Sequence, residues 1–185
     1  MNEVELIRAQ LSLERQHAFD ISRALSAAGS RNGASQESWH SFRQASVDYL
    51  VWILSRFEER EQTFHDLLRA RDSGDSDRRA VESALALPGS SREALAKLEA
   101  ALGSTSRPEV ERVGRWSDFE QFLAAAWSVR RDALDKVLAQ QARVTDWRAV
   151  SGIDADSIFD ERSRYARVRA ALPAGIEMPA ATSPP

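Results

Sequence analysis

Cysteine is absent from the 185 residues, which excludes disulfide scaffolds, thiol catalysis, iron–sulfur ligation and zinc sites built on thiolates. Histidine is scarce, and His17, His40 and His65 carry all the imidazole chemistry available from side chains. No stretch approaches the roughly 18 apolar residues of a membrane span. The start MNEVELIRAQ has two acids where a signal peptide has a basic end and an apolar run, so a cytoplasmic protein is expected. Charge of one sign is also missing: 25 basic and 28 acidic residues leave a formal net charge of −3. Such a balance gives no overall field to hold nucleic acid or an anionic membrane, and neither is expected as a partner. A glycine-rich phosphate loop and a Gly-x-Ser-x-Gly elbow are both lacking, which leaves common nucleotide binding and acyl transfer by an elbow serine without support. Lysine occurs only at Lys97 and Lys136, a bias of the kind a GC-rich bacterial genome produces.

What is present reads as helix. Apolar residues make up 43%, enough to bury the core of a single domain. The eight glycines and six prolines fall in clusters that mark the breaks. Residues 3 to 28 place Val4, Ile7, Leu11, Glu14, Ala18, Ile21 and Leu25 at alternating spacings of three and four, one face of a packed helix that Gly29 stops. Ser35 is an N-cap for a second helix ending near Arg71, with Trp39, Phe42, Ser46, Leu50, Leu54, Phe57, Glu61, Phe64 and Leu68 on its stripe. A turn over residues 72 to 77 opens a third helical region over 77 to 102, broken by Pro88-Gly89. Residues 103 to 115 lack periodicity and read as a crossing loop. The box Ser117-Asp-Phe-Glu120 then starts a fourth helix with Trp116, Phe119, Leu123, Ala126, Arg130, Leu134, Val137 and Gln141 inward, ending near Arg143. A short helix over 145 to 151 is stopped by Gly152. A last one, from Asp154 to Leu172, turns Ile158, Tyr165, Val168 and Leu172 to one side. No segment alternates at period two.

The expected fold is therefore all-α: an antiparallel up-down four-helix bundle over residues 1 to 143 with a broken third helix. A C-terminal helical extension over 144 to 172 packs against it, and a mobile or surface-laid Pro/Ala/Ser tail follows over 173 to 185. Counting about 1.5 Å per residue down from the first connection sets Glu14 level with Asp48, Tyr49 and Arg130. A carboxylate and a guanidinium on facing stripes read as a buried ion pair, Glu14 to Arg130, with His17 and Tyr49 hydrogen-bonded around it. The same four residues are the candidate lining of a small ligand pocket.

Glu14-x-x-His17 also has the spacing of a metal-ligand pair, and Glu58, Glu61 and His65 offer a second half-site on helix two. The level count separates Glu61 from Glu14 by about 16 Å, so the halves cannot share a metal; a single ion at either level is the alternative. His40 reads as a partly exposed boundary residue. The run Arg162-Ser-Arg-Tyr-Ala-Arg-Val-Arg169 could meet phosphates, but acids at the start of this helix and arginines at its end are what the helix dipole favours without a ligand. Five tryptophans, Trp39, Trp52, Trp116, Trp127 and Trp147, are many for this length. Trp39 and Trp116 would cap one end of the core. Trp52 and Trp127 lie beside the stripes and are expected beneath residues 145 to 172, the other option being a contact surface with another chain.

The run from Tyr49 to Leu68, YLVWILSRFEEREQTFHDLL, preceded by a helix with an acid and a histidine near its middle, resembles the first half of a hemerythrin-like bundle over residues 1 to 142. The resemblance implies a non-haem di-iron site of about five histidines and bridging carboxylates, and oxygen binding or sensing. This chain departs from that pattern: it has three histidines, the helix-two pair runs Glu61 before His65, and helices three and four have none. The resemblance therefore extends to the fold and not to the iron. Together these readings make the chain a non-catalytic helical protein without a cofactor, acting through association with itself or another protein chain as an accessory subunit. The alternative is a metal or small-ligand site in the core.

Overall fold

The long apolar stripes form helices where the spacing requires them. The computed structural model describes residues 2–29, 36–70, 75–102, 109–141 and 143–178. Their order is α1 (Glu3–Gly29), α2 (Gln36–Ala70), α3 (Asp75–Ala86), α4 (Ser91–Leu102), α5 (Glu109–Phe122), a π-turn (Leu123–Trp127), α6 (Ser128–Gln141), α7 (Val144–Ser151) and α8 (Ala155–Ala170). The described residues are helical without strands, and no helix among them is long and apolar enough to cross a membrane.

α1 begins at a reciprocal cap in which the Glu5 amide donates to Asn2 Oδ1 at 2.9 Å and the Asn2 amide donates to Glu5 Oε2 at 2.7 Å. Ile7, Leu11, Ala18, Ile21 and Leu25 are buried along its inner stripe, and Phe42, Leu50, Leu54, Phe57 and Phe64 along that of α2. The expected Ser35 cap and residues 72–74 of the expected turn lie outside the described residues, and residues 75–77, also read as turn, are the start of α3. Pro88-Gly89 separates α3 from α4 as expected. Ser90 caps α4, accepting from the Glu93 amide at 3.2 Å while Glu93 Oε2 accepts from the amides of Gly89 and Ser90. α1 packs on α2, α5, α7 and α8; α2 also packs on α4, α7 and α8; α4 packs on α5, and α3 on α6.

Three expectations are corrected. Residues 109–115, read as loop, are the first turns of α5. Gly114 is exposed with open space where a Cβ would stand, and one exposed glycine costs a helix only about 1 kcal/mol. Ser117 therefore lies within the helix, and its Oγ accepts from Gln121 Nε2 instead of capping. The tail read from residue 173 is ordered onto the protein as far as residue 178, with Pro173 and Met178 buried; residues 179–185 lie outside the described ones. Trp127 is not covered by the C-terminal helices. It is fully buried in the core, 5.7 Å from the ring of Phe19 and 5.2 Å from that of Phe57. Trp127 follows Leu123 by four residues and so shares its inner face, and the π-turn that joins the two lies against the Pro88-Gly89 turn.

Gly89 makes this possible. Its φ of +100° suits glycine, and a Cβ built there would lie 2.2 Å from the Ala126 carbonyl carbon. The Pro88-Gly89 turn thus rests directly on the backbone of the π-turn. Gly89→Ala is expected to destabilise the protein by about 3 kcal/mol in urea unfolding, because neither backbone can yield cheaply. A loss below about 0.5 kcal/mol would contradict the contact.

Candidate functional site

The polar side chains on the inner stripes form three clusters. In the first, the fully buried Glu14 accepts from Arg60 Nη1 at 2.6 Å and from Nη2 at 3.4 Å, and Arg60 Nε donates to the Ser151 carbonyl at 2.6 Å. Arg56 Nη2 donates to the Gly152 carbonyl at 2.9 Å. Two arginines of α2 therefore hold the carbonyl end of α7, where the helix leaves its acceptors free. The acid expected to meet Arg130 is paired with a neighbouring helix instead. Arg60 lies ten residues beyond the position the level count placed opposite Glu14, about 15 Å of helix.

In the second cluster, Glu61 turns inward to two adjacent guanidiniums. Arg131 Nη2 lies 2.5 Å from Glu61 Oε1, and Arg130 Nη2 lies 3.6 Å from Oε2. Arg130 Nη1 donates to the carbonyls of Leu85 and Leu87, both at 2.5 Å, and so ties α6 to the end of α3. Ser91 Oγ donates to Glu61 Oε1 at 3.0 Å and accepts from Trp127 Nε1 at 3.2 Å. Burial is the main force on Arg131 and pushes its pKa down to about 10, against the opposing pull of Glu61. Beside this cluster lies a cavity of about 30 Å³ whose lining includes Arg15, Arg60, Glu61, Arg131 and Asp135. That is room for one or two waters, far below the roughly 300 Å³ of an organic-ligand pocket.

The third cluster joins α1, α2 and α8. Glu161 Oε1 accepts from His17 Nδ1 at 2.6 Å and from the Tyr49 hydroxyl at 2.8 Å, while the Tyr165 ring stacks on His17 at 3.5 Å and 8°. Glu161 is fully buried. Its Oε2, His17 Nε2 and the Tyr165 hydroxyl have no hydrogen-bond partner among the described residues. Burial, and then the Glu161 carboxylate, hold the Tyr49 phenol well above its ordinary range; burial and Asp20 push Tyr165 up to about 12.

The expected four-residue constellation is therefore divided. His17 and Tyr49 do meet, but on Glu161, while Glu14 and Arg130 go to separate partners. Of the metal candidates, Glu58 accepts from Arg92 Nε at 2.8 Å, Glu61 takes both arginines, and His65 lies near the surface with Asp66 at 3.6 Å. Among the described residues no three histidines or carboxylates stand close enough to hold a metal ion. Trp52 is half-buried, with the guanidiniums of Arg56 and Arg164 each 5.1 Å from its ring centroid, so α8 covers part of it. His40 is exposed and lines an open groove of about 500 Å³ with Asp48, Tyr49, Arg164 and Arg167. Sequence reasoning missed Glu161 by grouping it with the acids at the start of α8. Its spacing of four from Tyr165 and three from Ile158 places it on the buried face. No protein-family model, curated protein or solved structure matches this chain.

Arg60→Met strands Glu14 in the interior and is expected to cost about 3–5 kcal/mol in urea unfolding, whereas Glu14→Leu combined with Arg60→Met should recover most of it. A double variant as unstable as the single would contradict the pairing. The protein's two tyrosines are Tyr49 and Tyr165, so absorbance of tyrosinate reports only these. Native protein at pH 10 should show almost none, against half ionisation in denaturant. Both folded pKa values are raised, so this stability is complete below pH 10 and is lost as pH rises from there through about 12. Half ionisation of the native protein at pH 10 would contradict the burial.

Proposed function

We propose that this chain is a non-catalytic helical protein that acts by associating with other protein chains, its own copies included, as an accessory subunit does. The proposed body is an antiparallel up-down four-helix bundle of α1, α2, the broken α3–α4 pair and α5 continued through the π-turn into α6, with α7 and α8 laid against α1 and α2. Contact pairs of opposite sense support that topology. Arg15 pairs with Asp132 and Asp135 while Arg23 lies near Glu120. Arg92 meets Glu58 while Arg43 donates to the Leu102 carbonyl. Trp127 meets Ser91 while Arg115 donates to the Ala100 carbonyl.

The observation that carries the functional reading is the use of the interior acids. Glu14, Glu61 and Glu161 each already hold side-chain partners of this same chain, and the cavity beside Glu61 has the size of water. Chemistry with other molecules is left to the surface. There Phe159 keeps 73% of its area in solvent, the one mainly exposed aromatic among the described residues.

Light scattering of purified protein, with metal analysis of the same sample, tests this. The expected result is a metal-poor protein whose mass exceeds one chain, or a single chain that co-purifies in fixed ratio with a second protein from its own cells. A monomer holding one equivalent of transition metal that His17→Ala removes would overturn it.

A further inference from the structure

The arginines around Glu61 outnumber the acids they meet. Among the side chains of the first two clusters that are nine-tenths or more buried, Arg60, Arg130 and Arg131 face Glu14 and Glu61, which leaves one positive charge without an acid. At the rim Arg15 and Asp135 balance each other at 2.9 Å; Asp132, 3.5 Å from Arg15, is mainly exposed, where water screens it. The surplus falls beside the cavity of about 30 Å³ that Arg15, Arg60 and Arg131 line together with Glu61, Asp135 and Ser151. Phe57 lines it too. Its ring centroid lies 5.0 Å from the Arg60 guanidinium carbon and 5.8 Å from that of Arg131, so the two cations converge there from α2 and α6. Arg131 Nε is buried and has no hydrogen-bond partner among the described residues. Burial pushes the Arg131 pKa down to about 10 against the pull of Glu61 and Asp135, and Arg130 and Arg15 add to the push. That is the behaviour of a cation whose charge is only partly met.

We infer that this cavity binds one chloride ion. A water molecule would accept from the Nε–H but leave the charge, and a buried cation requires a counter-charge. One monovalent anion supplies both. Room for one or two waters admits a monatomic ion and excludes phosphate, sulfate and organic acids. The carboxylates in the lining do not close the site to an anion, because each is already engaged: Glu61 by Arg130, Arg131 and Ser91, and Asp135 by Arg15. Arg15 and Asp135 are partly exposed, so an ion can enter from solvent on their side. Such an ion belongs to the fold and is no substrate, and it adds to the association reading without resting on it.

Urea unfolding of the full chain at constant ionic strength tests this, with sodium chloride exchanged for sodium isethionate, whose anion is too large for the cavity. For a site with a dissociation constant of about 10 mM, the folding equilibrium constant should rise about tenfold between no chloride and roughly 100 mM. Bromide should act alike. Arg131→Met removes the surplus cation while Glu61 keeps Arg130 and Ser91, so the variant should fold and lose the response. Whether or not it folds, crystals of the unaltered protein grown in sodium bromide should give one anomalous peak in the cavity, within hydrogen-bonding reach of Arg131. Equal stability in chloride and isethionate overturns the ion site, as does a cavity without a bromide peak. A chloride response that survives in folded Arg131→Met overturns its placement at Arg131.

Discussion

The interior of this protein depends on charge neutralisation between helices. A carboxylate buried alone costs several kcal/mol, so each inward acid requires a partner supplied by another element. Glu14 draws Arg60 from α2, Glu61 draws Arg131 and Arg130 from α6, and Glu161 draws His17 and Tyr49 from α1 and α2. The pairings cross between helices distant in sequence, and each one fixes the lateral position of its helix more narrowly than apolar packing would. Arg60 continues to the Ser151 carbonyl and Arg130 to those of Leu85 and Leu87, so the charged groups also satisfy helix ends.

The π-turn is the backbone counterpart of this arrangement. Leu123, Trp127 and Arg131 follow one another at intervals of four and stand on the inner face of the helix that the π-turn interrupts. There the indole lies between Phe19 and Phe57 and the Arg131 guanidinium on Glu61. Room for the bulge comes from Gly89, which no side-chain-bearing residue could replace without displacing the Ala126 carbonyl. A turn, a bulge and an ion cluster are thus one structural unit.

The helices were legible in the sequence because burial repeats every three to four residues, and Gly29 ends α1 while Gly89 and Gly152 break the repeat at positive φ, which other residues disfavour. The beginning of α5 was not legible, since Glu109 to Arg115 carry little apolar signal and Gly114 imitates a break. The π-turn left no trace in a pattern read at a constant period. The inward acids Glu14 and Glu61 were visible as interruptions of their stripes. Their partners were not, because a level count compares backbone positions, whereas an arginine reaches about a turn in either direction along its neighbour. Glu161 was hidden by its company: four acids near one helix start read as dipole compensation, although one of them faces inward.

Arginine side-chain resonances in nitrogen-15-labelled protein offer the most direct measurement of internal neutralisation. Guanidiniums locked by buried carboxylates and carbonyls rotate and exchange slowly. Arg60, Arg130 and Arg131 should therefore give dispersed, slowly exchanging Nε and Nη signals, and Glu14→Leu should collapse those of Arg60 alone. A single averaged arginine envelope, unchanged by that substitution, would contradict it.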